Sequence, residues 1–235
     1  MRVVFLGDSL TEARPGVSFV KKLEEQFPNA ELVNYGKGGD TVKSLFKRVK
    51  SLNFGESTGL VVLWVGVNDI YQRLNWRYRL LNMLLRRPIA KDPDEFEQTY
   101  QALLHYLTEH VRPLCGVIAV SAHILGENED NQWNRQLKEL TCAIKRVASL
   151  DPQVRFVDAQ KRFFKDLKDK RTTDFVPQSL SLLMDDVRKL QTEELIDERA
   201  RERGLYVTLD GVHLNTLGAK IIAELLSEAI IDCLG

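Results

Sequence analysis

The sequence predicts an α/β fold in which a parallel sheet is covered by helices on both faces. Three observations support this prediction. Short apolar runs alternate five times with longer segments of helical period, which is typical of parallel strands joined by right-handed crossovers. The run at 60–65 is apolar throughout, as expected of a strand buried on both faces. The 235 residues are also enough to bury a sizeable core without disulfides or metal.

Five strands are predicted in order along the chain. Each is a short run of mainly apolar residues, of the length expected for a buried strand rather than for a helix. They cover residues 3–6, 31–33, 60–65, 117–120 and 154–157.

The helices follow from apolar residues that recur at helical spacing. The first helix ends at Pro28, the second can be capped by Asp40 or Thr41, and the last by Asn215 or Thr216. The positions expected to face inward are Phe19, Val20, Leu23 and Phe27; Val42, Leu45, Phe46 and Val49; Phe96, Tyr100, Leu103, Leu104, Leu107 and Val111; Trp133, Leu137, Leu140, Ile144 and Val147; and Leu217, Ile221, Ile222, Leu225 and Ala229.

We expect one domain over residues 1–235, because no repeat, low-complexity stretch or linker divides the chain. Two stretches depart from the simple alternation and are interpreted as insertions. One covers about 71–92, after the third strand. The other covers about 160–208, after the fifth strand, and is expected to contain a helix that ends near Gly204.

Composition excludes several classes of protein. The net charge is zero, which gives no general attraction to nucleic acid. No stretch approaches the ~20 apolar residues of a membrane span. The three cysteines, Cys115, Cys142 and Cys233, lack paired spacing and favour free thiols in a reducing compartment. The first strand leaves no room for a signal peptide, so we expect a cytoplasmic protein, or a secreted one if a leader has been removed.

Four polar or glycine-rich stretches lie where a ligand site is expected. In open α/β sheets, ligands bind outside the carboxyl ends of the strands. Residues 7–10 (GDSL), 34–41 (NYGKGGDT) and 66–69 (GVND) follow the first three strands, and residues 210–213 (DGVH) precede the last helix. Each motif alone is a common turn or cap, so the prediction depends on their combination.

The combination supplies the parts of an acyl-transfer site. A serine hydroxyl is a poor nucleophile at neutral pH, and Ser9 therefore needs a base, for which His213 is the candidate. Asp210, three residues earlier, can hold the imidazole in one tautomer. The oxyanion needs hydrogen-bond donors, and the candidates are the backbone amides of Gly39 and Ser9 and the side-chain amide of Asn68.

With these motifs, the sequence resembles the SGNH (GDSL) hydrolase family, of esterase and lipase type, over its whole length. The resemblance implies a flavodoxin-like three-layer α/β/α sandwich with a five-stranded parallel sheet. It also implies that Ser9, Asp210 and His213 are catalytic and that Ser9, Gly39 and Asn68 form the oxyanion hole. The family includes esterases, lipases, lysophospholipases, thioesterases and carbohydrate deacetylases. The chain lacks the Gly-x-Ser-x-Gly elbow of the α/β-hydrolase fold.

Two further features are candidate substrate contacts. His123 follows the fourth strand and is either a substrate-binding residue or a structural one. Residues 71–91 carry six basic residues and no acid, together with an apolar helical stripe. We interpret this stretch as a cap that walls an acyl pocket, with contact to an anionic membrane surface as the less favoured alternative. The stripe consists of Trp76, Leu80, Leu81, Leu84 and Leu85.

The sequence therefore predicts a serine esterase that acts on a small-molecule carboxylic ester. The insertion favours a short or medium acyl chain, keeps a lipid-like ester among the candidates, and weakly disfavours an all-polar sugar cleft. One alternative is an acyltransferase with the same acyl-enzyme; the other is a non-catalytic lipid- or partner-binding module. We expect no cofactor and no metal, because no cluster has metal-ligand spacing. The oligomeric state is left open.

Overall fold

The computed structural model describes residues 1–55, 57–73, 80, 83–84, 88–177 and 180–234, and its centre is a sheet of five parallel strands. The strands are β1 (Arg2–Gly7), β2 (Glu31–Gly36), β3 (Thr58–Trp64), β4 (Val117–Val120) and β5 (Val154–Val157). Their order is β2-β1-β3-β4-β5, which is flavodoxin-like. The chain passes from β1 to β2 on one side and returns to β3 on the other. This reversal places a ligand-binding crevice at the carboxyl ends of β1 and β3.

Helices cover both faces of this sheet. One layer contains α2 (Phe19–Gln26), and a second contains α3 (Val42–Val49). The remaining helices are α1 (Ser9–Glu12), α4 (Val67–Tyr71), α5 (Pro93–Tyr106), which continues as a π-helix (Leu107–Val111), α6 (Gln132–Ala148), α7 (Ala159–Leu167), α8 (Leu180–Lys189), α9 (Glu193–Glu202) and α10 (Thr216–Leu234). α10 packs against α2 and α7, whereas α5 packs against α3 and α6. The predicted three-layer α/β/α sandwich is thus confirmed.

The core lies on the two faces of the central strands. Four consecutive side chains of β1, residues 3–6, are fully buried, and every residue of β3 is buried. Alternate side chains of such strands point to opposite helix layers, so an uninterrupted apolar run is what the two covered faces require. The sequence predicted β4 and β5 with the observed bounds.

β2 is longer than predicted, because it continues to Gly36 instead of ending at Val33. Its parallel register with β1 runs on until Gly36 lies opposite Gly7. Asn34 supports this extension: its side chain donates to the carbonyl of Thr11 at 2.6 Å and accepts from the Gly36 amide at 2.8 Å. Apolar content alone could not reveal a strand end held by a polar side chain.

Leu217 corrects one expectation about the core. It was expected to face inward, but it is 50% exposed. It lies on the same face of α10 as Lys220 and Glu228, which are also exposed. The helix is capped as predicted by Asn215, whose Oδ1 accepts from the Gly218 amide at 2.9 Å.

The two insertions differ in what the structure describes. The second contains three helices, α7, α8 and α9, instead of the single one expected, and α9 ends two residues before Gly204. In the first, Trp76, Leu81 and Leu85 lie outside the described residues, and Leu80 and Leu84 are exposed. The proposed pocket wall there stays a prediction. Among the described residues, no helix is both long and apolar enough to cross a membrane.

Candidate active site

Ser9 stands at the start of α1, immediately beyond β1. Asp8 is the N-cap of this short helix, and its Oδ1 accepts from the Leu10 amide at 3.0 Å. The strand ends at Gly7, where a Cβ would come within 2.2 Å of the Thr11 hydroxyl and 2.5 Å of the Trp64 carbonyl. Only glycine allows the chain to turn so tightly from strand to helix. Ser9 is therefore held on rigid backbone at the carboxyl edge of the sheet.

Ser9, His213 and Asp210 form one continuous chain of hydrogen bonds. Ser9 Oγ lies 2.9 Å from His213 Nε2, and His213 Nδ1 lies 2.8 Å from Asp210 Oδ2. In the neutral histidine, the hydroxyl donates to Nε2 while Nδ1–H donates to the carboxylate. The other oxygen, Asp210 Oδ1, accepts from the backbone amides of Val212 at 3.0 Å and His213 at 2.8 Å. The turn thus fixes the carboxylate and the imidazole together.

Burial and the ion pair act against each other on these two groups. Burial alone would raise the pKa of Asp210, but His213 and the two backbone amides together lower it below its ordinary value. Burial alone would lower the pKa of His213, but Asp210 raises it above its ordinary value, with smaller contributions from Asp8 and Asp186. The pair therefore favours an ionised aspartate and a basic histidine.

Asn68 and the loop around Gly39 lie together beside Ser9. Asn68 is in α4, directly after β3, and one of its side-chain N–H groups donates to the carbonyl of Asp40 at 3.0 Å. Gly39 has a φ of 79°, which favours glycine. A Cβ on Gly38 would lie 3.7 Å from that of Ser9. Within the described residues, the Gly39 amide and the second Asn68 N–H have no hydrogen-bond partner.

One ion pair and two hydrogen bonds to Asp69 hold this loop in place. Arg48 Nε donates to Asp40 Oδ2 at 2.8 Å, and its Nη2 donates to the carbonyl of Tyr35 at 2.8 Å, so it ties the loop to the end of β2. Asp69 accepts from the amides of Val42 at 3.0 Å and Ala90 at 3.2 Å. Burial raises the pKa of Asp69 to about 6, although both amides oppose the shift. The loop beside Ser9 is thereby fixed by side chains from α3 and α4.

Asp8 is a buried carboxyl group next to the serine. Burial raises its pKa to about 7, while the Leu10 amide and His213 act in the opposite direction. Its second oxygen, Oδ2, has no hydrogen-bond partner among the residues that the structure describes. Burial therefore favours the uncharged form of this carboxyl group.

His123 lies close to the triad but behind it. It is 1% exposed, and its Nε2–H donates to the carbonyl of Val212 at 2.6 Å. Its ring also makes edge-on contacts with Trp64 and Phe163. Burial lowers its pKa to about 3, which keeps the ring neutral. This position favours a structural role over the expected substrate contact. The other tentative contact, Trp76, lies outside the described residues.

Sequence reasoning missed two residues that contact the triad segment. Arg203, which directly follows α9, pairs with Asp186 of α8 and also donates to the carbonyl of Leu209 at 3.1 Å. Glu127, in the loop after β4, accepts from three successive backbone amides at residues 206–208. The nearest signal was the position of Glu127 after a strand end, four residues beyond His123.

Over the described ranges, no group of three or more His, Cys, Asp or Glu side chains is arranged to hold a metal ion.

Comparisons with known proteins identify the family. The family model described as GDSL-like lipase/acylhydrolase matches residues 3–226. An acetylxylan esterase from Geobacillus stearothermophilus is 26% identical over 186 residues, which are 71% of this chain and 80% of that protein.

Solved structures share the fold. The acetyl xylan esterase AlAXEase has a TM-score of 0.67 at 21% identity, covering 98% of this chain and 100% of its own. LAE5, an alpha/beta hydrolase enzyme from the metagenome of Lake Arreo in Spain, has a TM-score of 0.67 at 22% identity, covering 100% and 96%. The chain therefore belongs to the GDSL-like lipase and acylhydrolase family and is a carboxylic ester hydrolase.

Proposed function

We propose that the protein is a serine esterase that removes short acyl groups through an acyl-enzyme on Ser9. One observation carries the proposal: the hydroxyl of Ser9 lies 2.9 Å from His213 Nε2, and His213 Nδ1 lies 2.8 Å from Asp210. A nucleophile, a base and a group that orients the base are the three parts needed for acyl transfer.

In the proposed reaction, Ser9 Oγ attacks the ester carbonyl while His213 Nε2 takes the hydroxyl proton. The tetrahedral intermediate then collapses as His213 returns this proton to the departing alcohol. A water molecule attacks the acyl-enzyme with His213 again as base, and the acid and free serine are released. Asp210 stays ionised and stabilises the imidazolium that forms in each half of the cycle.

Gly39, Asn68 and Ser9 are proposed to stabilise the oxyanion. The Gly39 amide and the second side-chain N–H of Asn68 have no partner within the part of the chain that the structure describes. Donors that are held in place and unpaired reorganise little when negative charge develops on the carbonyl oxygen. The Ser9 amide, at the first position of α1, is the third donor.

A short acyl group is supported by how little of the site is exposed. Ser9 is 7%, His213 6% and Asn68 8% exposed. A small acyl group such as acetyl needs little space beside these residues, whereas a long chain needs an extended apolar channel. Acetyl esters are therefore the proposed first choice.

A carbohydrate is the proposed alcohol part of the substrate, so the whole ester is an acetylated sugar. The support is the similarity to an acetylxylan esterase, at 26% identity over 71% of the chain. This proposal departs from the weak expectation against an all-polar sugar cleft, which rested on the stretch 71–91. Much of that stretch lies outside the described residues.

An ester series tests this function directly. We would measure kcat/KM for p-nitrophenyl acetate, butyrate and octanoate, with acetylated xylo-oligosaccharides and a lysophospholipid alongside. The expected result is that acetyl esters are hydrolysed fastest and that acetylated sugars exceed the lysophospholipid. A preference for octanoate or for the lysophospholipid would contradict the proposed substrate class. Added alcohol acceptors separate hydrolysis from acyl transfer, because an acyltransferase would form new esters in preference to free acid.

A further inference from the structure

We infer that Glu127 is a positioning residue for the catalytic triad, because its buried carboxylate holds the segment that leads into Asp210 and His213. The inference rests on the proposed function and assigns a task to a residue outside the four motifs.

The carboxylate of Glu127 accepts four hydrogen bonds from one short segment. Oε1 accepts from the amides of Val207 at 2.8 Å and Thr208 at 2.9 Å, and from the Thr208 hydroxyl at 2.8 Å. Oε2 accepts from the Tyr206 amide at 2.8 Å. Glu127 is 1% exposed, so water does not compete for these donors.

The hydrogen-bond donors to the Glu127 carboxylate that the structure describes are all neutral groups. Within the described residues, no Lys, Arg or His side chain forms an ion pair with Glu127. Three of its four donors are backbone amides, whose positions follow directly from the path of the chain. A charged acceptor strengthens each of these bonds relative to a neutral one. The contact therefore fixes the backbone of residues 206–208.

This segment is connected to the triad by short hydrogen bonds. The Thr208 hydroxyl, which donates to Glu127, also accepts from the Gly211 amide at 3.1 Å. The Leu209 amide donates to the carbonyl of His213 at 2.6 Å. The turn that holds Asp210 and His213 is thus hydrogen-bonded to the segment that Glu127 binds.

The loop that carries Glu127 contacts the same turn directly. The Gly126 amide donates to the carbonyl of Gly211 at 2.8 Å. Gly211 has a φ of 80°, and a Cβ there would come within 1.9 Å of the Phe175 carbonyl, so only glycine fits at this position. Asn134 of α6 in turn accepts from the Leu125 amide at 2.8 Å and donates to the Gly126 carbonyl at 3.1 Å. The loop that carries Glu127 is therefore hydrogen-bonded both to the turn and to helix α6.

The first test compares Glu127→Gln with the wild-type enzyme. Glutamine has nearly the same shape, but its NH₂ group would face N–H or O–H groups whose hydrogen bonds the carboxylate now accepts. We expect kcat to fall by roughly 10- to 100-fold with KM within about twofold, because a misplaced base affects the transition state more than ground-state binding. We also expect the acidic limb of kcat/KM to move to lower pH, because His213 separates from Asp210.

The charged and titratable groups that act on His213 are few. Asp210 is on the same turn, Asp8 follows β1, His123 follows β4 and Asp186 is on α8. Glu127→Gln alters none of these groups but removes the charge of Glu127 itself. Thr208→Val removes no charge, so a shifted limb in that variant reports a change in the position of His213.

A matched pair at Thr208 decides the outcome if Glu127 variants do not fold. Thr208→Val keeps the shape but removes the hydroxyl between Glu127 and Gly211, whereas Thr208→Ser keeps it. We expect the valine variant to show the same loss of kcat and the same shift of the acidic limb. We expect the serine variant to keep the wild-type kcat and pH profile. Val154→Ala, at the amino end of β5, is the control for lost stability, since it lies at the sheet edge away from the triad.

A proton spectrum separates this inference from the proposed function. The Nδ1 proton of a histidine bonded to a carboxylate gives a far-downfield resonance that does not depend on turnover. We expect it in the wild-type protein and in Val154→Ala, and its weakening in Glu127→Gln or Thr208→Val. Unchanged kcat, pH limb and resonance in a folded Glu127→Gln or Thr208→Val protein would overturn the inference. Retained activity in Ser9→Ala would instead overturn the proposed function, while the resonance still tests Glu127.

Discussion

Arg203, the residue that follows α9, and Asp186 of α8 form a buried ion pair with two parallel hydrogen bonds, at 2.8 and 3.0 Å. The same guanidinium donates to the carbonyl of Leu209, the residue before Asp210. Arg203 therefore links the long insertion after β5 to the turn that holds Asp210 and His213.

Removing one partner of this pair should be costly. We expect Asp186→Ala to lower the free energy of unfolding by about 3–5 kcal/mol, because it leaves a buried guanidinium without its counter-charge. The double variant Arg203→Met with Asp186→Leu should cost much less, since it removes both charges. Urea unfolding of the single and double variants measures the difference. Equal losses in the two would mean that the pair is solvated and contributes little.

Loss of the Asn68 side chain should affect chemistry more than binding. We expect Asn68→Ala to lower kcat by roughly 10²- to 10³-fold with a modest change in KM, because one oxyanion donor is removed. Steady-state kinetics on an acetyl ester provides the measurement. Asn29→Ala, at an exposed turn, is the control and should behave like the wild type. A change confined to KM would mean that Asn68 binds the ground-state substrate.

The pH profile should have an acidic limb set by His213. This residue must be neutral to accept the serine proton, so activity is lost as it becomes protonated. Because Asp210 raises the pKa of His213, the limb should lie above the ordinary histidine value of about 6.5. Asp210→Asn should move the limb down and lower kcat by roughly 10⁴-fold. A limb that stays in place in Asp210→Asn would assign it to another group.

Asp8 should make the folded protein less stable as pH rises. Its pKa is about 7 in the folded state against 3.8 for an unperturbed aspartate. Between these values, the folded state keeps a proton that the unfolded state has lost, so this contribution to stability falls as pH increases toward 7. Asp8→Asn keeps the acceptor for the Leu10 amide and removes the titration.

The pH dependence of that variant measures the effect. We expect Asp8→Asn to gain roughly 2.6 kcal/mol of stability relative to the wild type between pH 5 and pH 8. Urea unfolding at the two pH values supplies the comparison. Asp69, whose pKa is also raised, is present in both proteins, so its contribution cancels. The same stability difference at both pH values would show that Asp8 ionises normally.

The fold could be predicted from the sequence because its central strands are buried on both faces. A run such as 60–65 has no polar position that water could reach, so its apolar content is a strong signal. The signal weakens where polar side chains take part. β2 was predicted three residues too short because Asn34 holds its end, and Leu217 was placed inward although it shares the exposed face of Lys220.

The candidate site was only partly accessible from the sequence. Ser9, Asn68 and His213 were found because each lies in a short motif at a predictable place in the sheet. Glu127 and Arg203 carry no such motif, since Glu127 binds backbone amides 79 to 81 residues away and Arg203 pairs with another helix. Contacts of this kind depend on the packed structure and leave no local pattern.

Covalent labelling of Ser9 tests the central claim most directly. A fluorophosphonate probe should modify this residue once per chain, as located by peptide mass spectrometry, and the adduct should form in parallel with the loss of esterase activity. Ser9→Ala should fold with an unchanged circular dichroism spectrum, bind no probe and lose nearly all turnover. Labelling at a different residue, or wild-type turnover by Ser9→Ala, would contradict the account.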